Sequence, residues 1–121
     1  LVHPSYSAVT LGILHGALPH ALVMCFEAGR ETVTGVEHLG LPSLARLIEI
    51  NEMMASLEHP CKVVAVAMNG RRLESEAAET YRASLEEELA LPVSDIFRNG
   101  PQRIVDAVEQ ARQQWLASEE N

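Results

Sequence analysis

Three apolar runs in this chain each end in a turn that contains glycine and arginine. The runs are residues 21–26, 62–68 and 92–97, and the turns that follow them are 27–30, 69–72 and 98–100. If the runs are parallel strands, the turns share the carboxyl edge of one sheet, where open α/β sheets bind ligands. The turns hold four of the nine basic residues, although the chain carries 17 acidic ones. This placement predicts a site for a small anionic substrate at that edge.

The candidate binding residues of this edge are Arg30, Arg71, Arg98 and Asn69. A guanidinium can grip a carboxylate or a phosphate with two parallel hydrogen bonds. Each residue also has a purely structural interpretation. Arg30 can pair with Glu27, Arg71 can balance the glutamates that follow it, and the position of Asn69 before a glycine is typical of a turn. Arg98 precedes the start of a helix, which is itself a position that attracts anions.

The remaining reactive side chains predict no metal site. His15 and His20 flank a turn, where we expect solvated side chains, and His38 and His59 fall in loops without metal-ligand spacing. Cys25 and Cys61 lie in or next to strands and far from any CxxC spacing, which predicts buried, reduced thiols of a cytoplasmic protein.

Composition excludes several classes of partner. A net charge of −8 disfavours nonspecific binding to nucleic acid and to anionic membranes. No apolar run approaches the roughly 20 residues that span a bilayer. Aromatic residues make up 4% of the chain, too few for a platform that stacks single-stranded bases.

Apolar periodicity predicts an alternation of helices and strands. We expect helices near residues 4–15, 43–59, 74–90 and from 101 onward, separated by the three strands and by an irregular connection over 27–42. The strands lack polar alternation, which indicates burial on both faces. The fold class is therefore α/β, with a parallel three-layer α-β-α sheet in a single domain that spans 1–121.

The sequence contains neither a G-x-x-x-x-G-K-[ST] phosphate loop nor a G-x-G-x-x-G turn. A nucleotide-binding fold normally carries such a loop after its first strand. Together with the start at Leu1, this predicts that the chain is the second half of a P-loop NTPase-like domain, cut from a longer protein. Its outermost strand would then be an open edge, so we expect an oligomer or association with a missing N-terminal part.

The opening block His3-Pro-Ser5-Tyr-Ser-Ala-Val-Thr-Leu-Gly-Ile-Leu-His-Gly16 resembles a domain-of-unknown-function family whose members are often mislabelled NAD-dependent epimerase/dehydratase. That family includes D-glutamate N-acetyltransferase and has a distant likeness to dethiobiotin synthetase. The turn 27–30, the end of the run at Asn69 and the segment 91–95 are also similar. The likeness covers His3 to about Ala111, although the phosphate loop of the family lies upstream of its matching block.

The resemblance implies an acyltransferase that moves an acetyl group from acetyl-CoA to the amine of D-glutamate or a similar amino acid. The resemblance implies that His3, Ser5 and Glu27 are candidates for the catalytic residues. A histidine can act as an acid or base near neutral pH, whereas the alternative role of Ser5 is to cap a helix. The alternatives are an ATP- or GTP-dependent enzyme of the dethiobiotin-synthetase type, which would need Mg²⁺ and would read the base with Asn69, and a non-catalytic fragment.

Overall fold

The computed structural model describes residues 1–121 and contains four helices and five strands. In chain order they are α1 (Ser7–Ala17), β1 (Ala21–Glu27), β2 (Thr32–Val33), β3 (Val36–Gly40), α2 (Leu44–Ala55), β4 (Lys62–Asn69), α3 (Ser75–Leu89), β5 (Val93–Asp95) and α4 (Gln102–Glu119). The chain divides into two compact units. The first comprises Leu1–His20 and Arg30–Lys62, and the second Ala21–Gly29 and Val63–Asn121.

The second unit is built on a three-stranded sheet with the order β1-β4-β5. Strands β4 and β5 are parallel, with Val66 paired to Val93 and Met68 to Asp95. The amide of Ala28 donates to the carbonyl oxygen of Asn69 at 3.0 Å, so the carboxyl ends of β1 and β4 lie side by side. The prediction of an α/β fold with a parallel sheet is confirmed, and the three turns share one edge.

The core of this unit lies around the central strand. Strand β4 buries Val66 and Met68 completely, as expected for a parallel strand with apolar residues on both faces. Helix α3 packs against β5 and contributes the buried Ala78 and Leu85.

Strand β1 and helix α4 are less buried than the sequence predicts. Strand β1 is the edge of the sheet and only half-buried, and Cys25 on it is exposed. Helical periodicity in the sequence predicts an inward stripe on α4 formed by Ile104, Val105, Val108, Ala111 and Trp115. The structure turns Ile104, Ala107 and Ala111 inward on the helix, which packs against β1 and β5, and leaves Val105, Val108 and Trp115 exposed.

The first unit contains α1 packed against α2, and a β2–β3 hairpin. Ser43 caps α2, since its hydroxyl accepts the amide of Arg46 at 3.2 Å. The irregular connection predicted over 27–42 is wrong in part, because 32–40 forms the antiparallel hairpin around Gly35, whose φ is 83°. For α1 the sequence predicts a helical stripe of Tyr6, Val9, Ile13 and Leu14, and the first three of these side chains are exposed. None of the helices is both long and apolar enough to cross a membrane.

Candidate functional site

The carboxyl edge of the sheet brings together four of the seven predicted site residues. Glu27 ends β1, Asn69 ends β4, and Arg71 and Arg98 lie in the turns after β4 and β5. We call residues 27–29, 69–73 and 95–98 the rim. It combines three guanidinium groups with two carboxylates, in a protein whose net charge is −8.

Two of the rim arginines are paired with carboxylates. Nε of Arg72 lies 3.0 Å from Oε1 of Glu27, which links the ends of β4 and β1. Nη1 of Arg98 lies 2.7 Å from Oδ2 of Asp95, whose side chain is 2% exposed. A carboxylate so deeply buried needs a cation or several hydrogen-bond donors to replace the contacts with water that it has lost.

Arg98 also binds the backbone of the turn after β4. Its Nη1 donates to the carbonyl oxygen of Gly70 at 2.8 Å, and its Nη2 donates to that of Leu73 at 2.7 Å. Three of its hydrogen bonds therefore go to the protein. In this geometry Arg98 is a structural link between two turns, and its role as an anion ligand stays a prediction.

Arg71 is bound differently from the other two. Its guanidinium carbon lies 3.6 Å from the centre of the Phe97 ring, in a cation–π contact between two exposed residues. Stacking orders the guanidinium plane but uses none of its N–H groups, so these groups can bind an anion in the plane. The contacts of Arg71 and Arg72 are with Phe97 and Glu27 rather than with the glutamates that follow them in the sequence.

Asn69 adopts the turn geometry that its sequence context favours. Its Oδ1 accepts the amide of Arg71 at 3.2 Å, which fixes the start of the turn. The Nδ2 group is then the part of this side chain that can donate to a ligand at the rim.

The other three predicted site residues belong to the first unit. Nδ1 of His3 accepts the amide of Ser5 at 3.1 Å, so the neutral ring carries its hydrogen on Nε2. The ring also lies 4.7 Å from that of Tyr6, at 47°. Ser5 does not cap α1, because Tyr6 is the N-cap residue and no side chain accepts a bond there. Arg30 is exposed.

The remaining histidines differ from the sequence interpretation. His15 is half-buried, and its Nε2 lies 3.0 Å from the carbonyl oxygen of Met54. His20 and His59 stack with ring centres 4.1 Å apart, and His38 lies in β3. No group of three or more His, Cys, Asp or Glu side chains is arranged to hold a metal ion.

The sequence alone did not identify Asp95 and Phe97 as parts of the rim, or the close approach of Asp95 and Arg98 to Gly70. A Cβ at Gly70 would collide with Oδ2 of Asp95 and with Nη1 of Arg98, so glycine is needed for this close approach. The signal in the sequence was an aspartate at the end of an apolar run with an arginine three residues later, a spacing shared by many exposed ion pairs.

Comparisons of sequence and of structure with known proteins agree on one family. The model of a P-loop domain of unknown function (DUF1611_C) matches residues 1–105. The chain is 36% identical over 109 residues to a D-glutamate N-acetyltransferase of Tritonibacter scottomollicae, a match over 89% of this chain and 33% of that protein. It is 34% identical over 106 residues to one of a Pseudoalteromonas species, covering 87% of this chain and 32% of that protein.

A solved structure of the same family has a similar fold. The crystal structure of a DUF1611 family protein from Anabaena variabilis superposes with a TM-score of 0.84 at 33% identity, over 91% of this chain and 33% of that one. The chain thus spans about a third of the length of each of these relatives. With a family match over most of its residues and a shared fold, the chain belongs to the DUF1611 P-loop domain family.

Proposed function

We propose that this chain is part of an N-acetyltransferase that transfers an acetyl group from acetyl-CoA to the amine of D-glutamate or a similar amino acid. The observation that carries the proposal is the similarity, over nearly nine tenths of the chain, to two proteins named D-glutamate N-acetyltransferase. The rim supports it, because both reactants carry anionic groups that suit a guanidinium.

The residues of the rim fit a phosphate or a carboxylate. Arg71 offers the N–H groups that its stacking on Phe97 leaves unused, and Asn69 offers Nδ2 close to the same turn. These two side chains would hold the anionic group of acetyl-CoA or of the amino acid. Arg30 is a separate candidate ligand in the first unit. Acetyl-CoA supplies the acetyl group as a thioester.

Acetyl transfer requires a proton acceptor and a hydrogen-bond donor. The substrate ammonium must lose a proton before its nitrogen forms the amide bond, and the departing thiolate must gain one. Glu27 in the second unit and His3 in the first are the candidates for the proton acceptor. A hydrogen-bond donor must also stabilise the carbonyl oxygen during transfer, and the hydroxyl of Ser5 is a candidate for that role.

A second candidate function is that of an ATP- or GTP-dependent enzyme like dethiobiotin synthetase. The observations that favour it are the P-loop description of the family and the position of Asn69 at the end of the central strand. In that case Asn69 would bind the base, and Mg²⁺ would accompany the nucleotide phosphates.

Calorimetric titration of the protein in its full natural length separates these functions. We expect binding of acetyl-CoA and, with D-glutamate added, release of free thiol and formation of the N-acetylated amino acid by mass spectrometry. L-glutamate is the matched control for stereochemistry. Binding of ATP with Mg²⁺ and no acetylated product would support the second function and overturn the first.

The place and partners of the reaction are also part of the proposal. The two free cysteines agree with a reducing cytoplasm. Strand β1 is an edge strand, so its outer N–H and C=O groups are open to pairing with a second copy or with another part of the protein. Light scattering at several concentrations tests this association. A chain that stays monomeric at all concentrations and unfolds cooperatively on its own would contradict it.

A further inference from the structure

The turn after β4 is held by hydrogen bonds of its own and, from outside, by one arginine. Besides the internal bond from Leu73 N to Gly70 O at 3.0 Å, two of its carbonyl groups accept hydrogen bonds from Arg98, at Gly70 and at Leu73. Arg71 lies between these two points. The side chain of Asn69 binds the Arg71 amide from within the turn. The guanidinium of Arg98, which comes from the turn after β5, binds the carbonyl groups on either side of Arg71.

Asp95 fixes the orientation of that guanidinium. Its buried Oδ2 binds Nη1 of Arg98 at 2.7 Å, and its Oδ1 accepts the amide of Phe97 at 3.3 Å. The Asp95 carbonyl oxygen also accepts the amides of Arg98 and Asn99, at 3.1 and 2.7 Å. One residue thus orders both the guanidinium that holds the turn and the backbone that presents the Phe97 ring.

We propose that Asp95 and Arg98 are positioning residues that hold Arg71 on Phe97 in the geometry that receives an anionic group. This inference rests on the proposed function for the anion, whereas the positioning itself concerns the protein alone. Three observations support it: the burial of Asp95, the two carbonyl contacts of Arg98, and the close approach that only glycine permits at position 70.

The stack of Arg71 on Phe97 gives a readout that needs no ligand. A side chain 3.6 Å above the centre of an aromatic ring has NMR resonances displaced by the ring current. In the full natural protein labelled with ¹³C,¹⁵N-arginine, Arg71→Ala assigns the displaced resonance and Phe97→Leu removes the ring. We expect Arg98→Lys to return this resonance to its ordinary position, because one ammonium cannot replace the contacts to Asp95, Gly70 and Leu73 together.

The matched control is Arg103→Lys. Arg103 also bridges a carboxylate and a carbonyl, with Nη2 2.7 Å from Oε1 of Glu86 and Nη1 3.2 Å from the oxygen of Val93, but at the other end of β5. Both variants should lower the thermal midpoint. Only Arg98→Lys should move the Arg71 resonance and weaken binding of acetyl-CoA and of inorganic phosphate, by about tenfold.

An unchanged Arg71 resonance in Arg98→Lys, or an equal change in Arg103→Lys, would overturn the positioning role. If Arg98→Lys does not fold, Asp95→Asn is used in its place. This variant should also move the Arg71 resonance towards its ordinary position, since it removes the carboxylate that orients Arg98. If Arg98→Lys changes the Arg71 resonance but the wild-type protein binds neither acetyl-CoA nor phosphate, the positioning role is supported and the proposed function is contradicted.

Discussion

The side chain of Arg72 crosses from the end of β4 to the end of β1, where its Nε lies 3.0 Å from Oε1 of Glu27. Arg72 is 56% exposed and Glu27 only 20%, so the carboxylate is the more enclosed partner. This pair fixes a candidate base at the carboxyl edge of the sheet, and a substrate ammonium would have to share that carboxylate with Arg72.

Replacing Glu27 with glutamine tests its role as the proton acceptor. The amide keeps the shape of the side chain but cannot take a proton, so we expect Glu27→Gln to lower kcat for acetyl transfer by about 10²-fold or more. Its effect on stability should be small, because partly exposed ion pairs contribute about 0–1 kcal/mol. The measurements are steady-state kinetics and urea denaturation.

Glu109→Gln provides the control for that substitution. Glu109 forms an ion pair with Arg112 at 3.2 Å on α4, and both side chains are exposed. The control should leave kcat and stability unchanged. A kcat for Glu27→Gln equal to that of the control would remove Glu27 from the catalytic candidates and leave His3.

Removing the Arg71 guanidinium should weaken ligand binding without unfolding the protein. Arg71→Ala loses a cation–π contact worth about 0.5–1 kcal/mol at an exposed site, so stability should fall only slightly. Loss of a charge-assisted hydrogen bond to the anion should raise the Kd for acetyl-CoA by about tenfold. Arg112→Ala, which removes an exposed arginine of α4, is the control. Equal Kd values in the two variants would place the anion elsewhere.

The parts of the fold that the sequence predicted follow from local physical rules. The apolar run that forms β4 has no polar alternation, which identified a strand buried on both faces, and Gly70 marked its end. Because parallel strands end at the same edge, the gathering of Glu27, Asn69, Arg71 and Arg98 could be expected as well.

The wrong predictions concern features that depend on contacts between residues far apart in the sequence. Helical periodicity placed Val105, Val108 and Trp115 on a buried stripe, but rotation of α4 on the sheet decides which face is covered, and all three are exposed. The pairing of Arg98 with Gly70 and Leu73 joins residues more than twenty positions apart, so no local pattern contains it. The hairpin over 32–40 was missed because its two strands, of two and five residues, are too short to show a periodic pattern.

Stability should fall on acidification because of a cluster at the start of β5. Burial raises the pKa of Glu86, but the amide of Val93 and the guanidinium groups of Arg103 and Arg82 outweigh it, so the pKa lies below the ordinary 4.5. The hydrogen bond to Arg82 likewise lowers the pKa of Glu79. A carboxyl group whose pKa is lower in the folded state stabilises the fold fully above pH 4.5 and loses this contribution as the pH falls through the folded value.

Glu86→Gln measures that contribution. We expect the variant to be less stable than the wild type at neutral pH by about 1.5–3 kcal/mol, the range for hydrogen bonds to charged groups. The difference should shrink in urea denaturation at successive pH values below 4.5. Glu109→Gln should show no such convergence, since both Glu109 and its partner are exposed. A constant difference between wild type and Glu86→Gln at all pH values would contradict the assignment.

The two cysteines should react with thiol reagents at very different rates. Cys25 is exposed on β1, whereas Cys61 is fully buried and its amide donates to Oγ of Ser56 at 2.9 Å. Burial, and secondarily the charge of Glu52, raises the pKa of the Cys61 thiol above 9.0, which lowers the fraction of reactive thiolate. We expect one rapid modification per chain at neutral pH, absent from Cys25→Ser, and a second at least about tenfold slower that accelerates in urea as the core opens. Rapid modification of both thiols in the folded protein would show that the segment before β4 is open, in conflict with its place in the core.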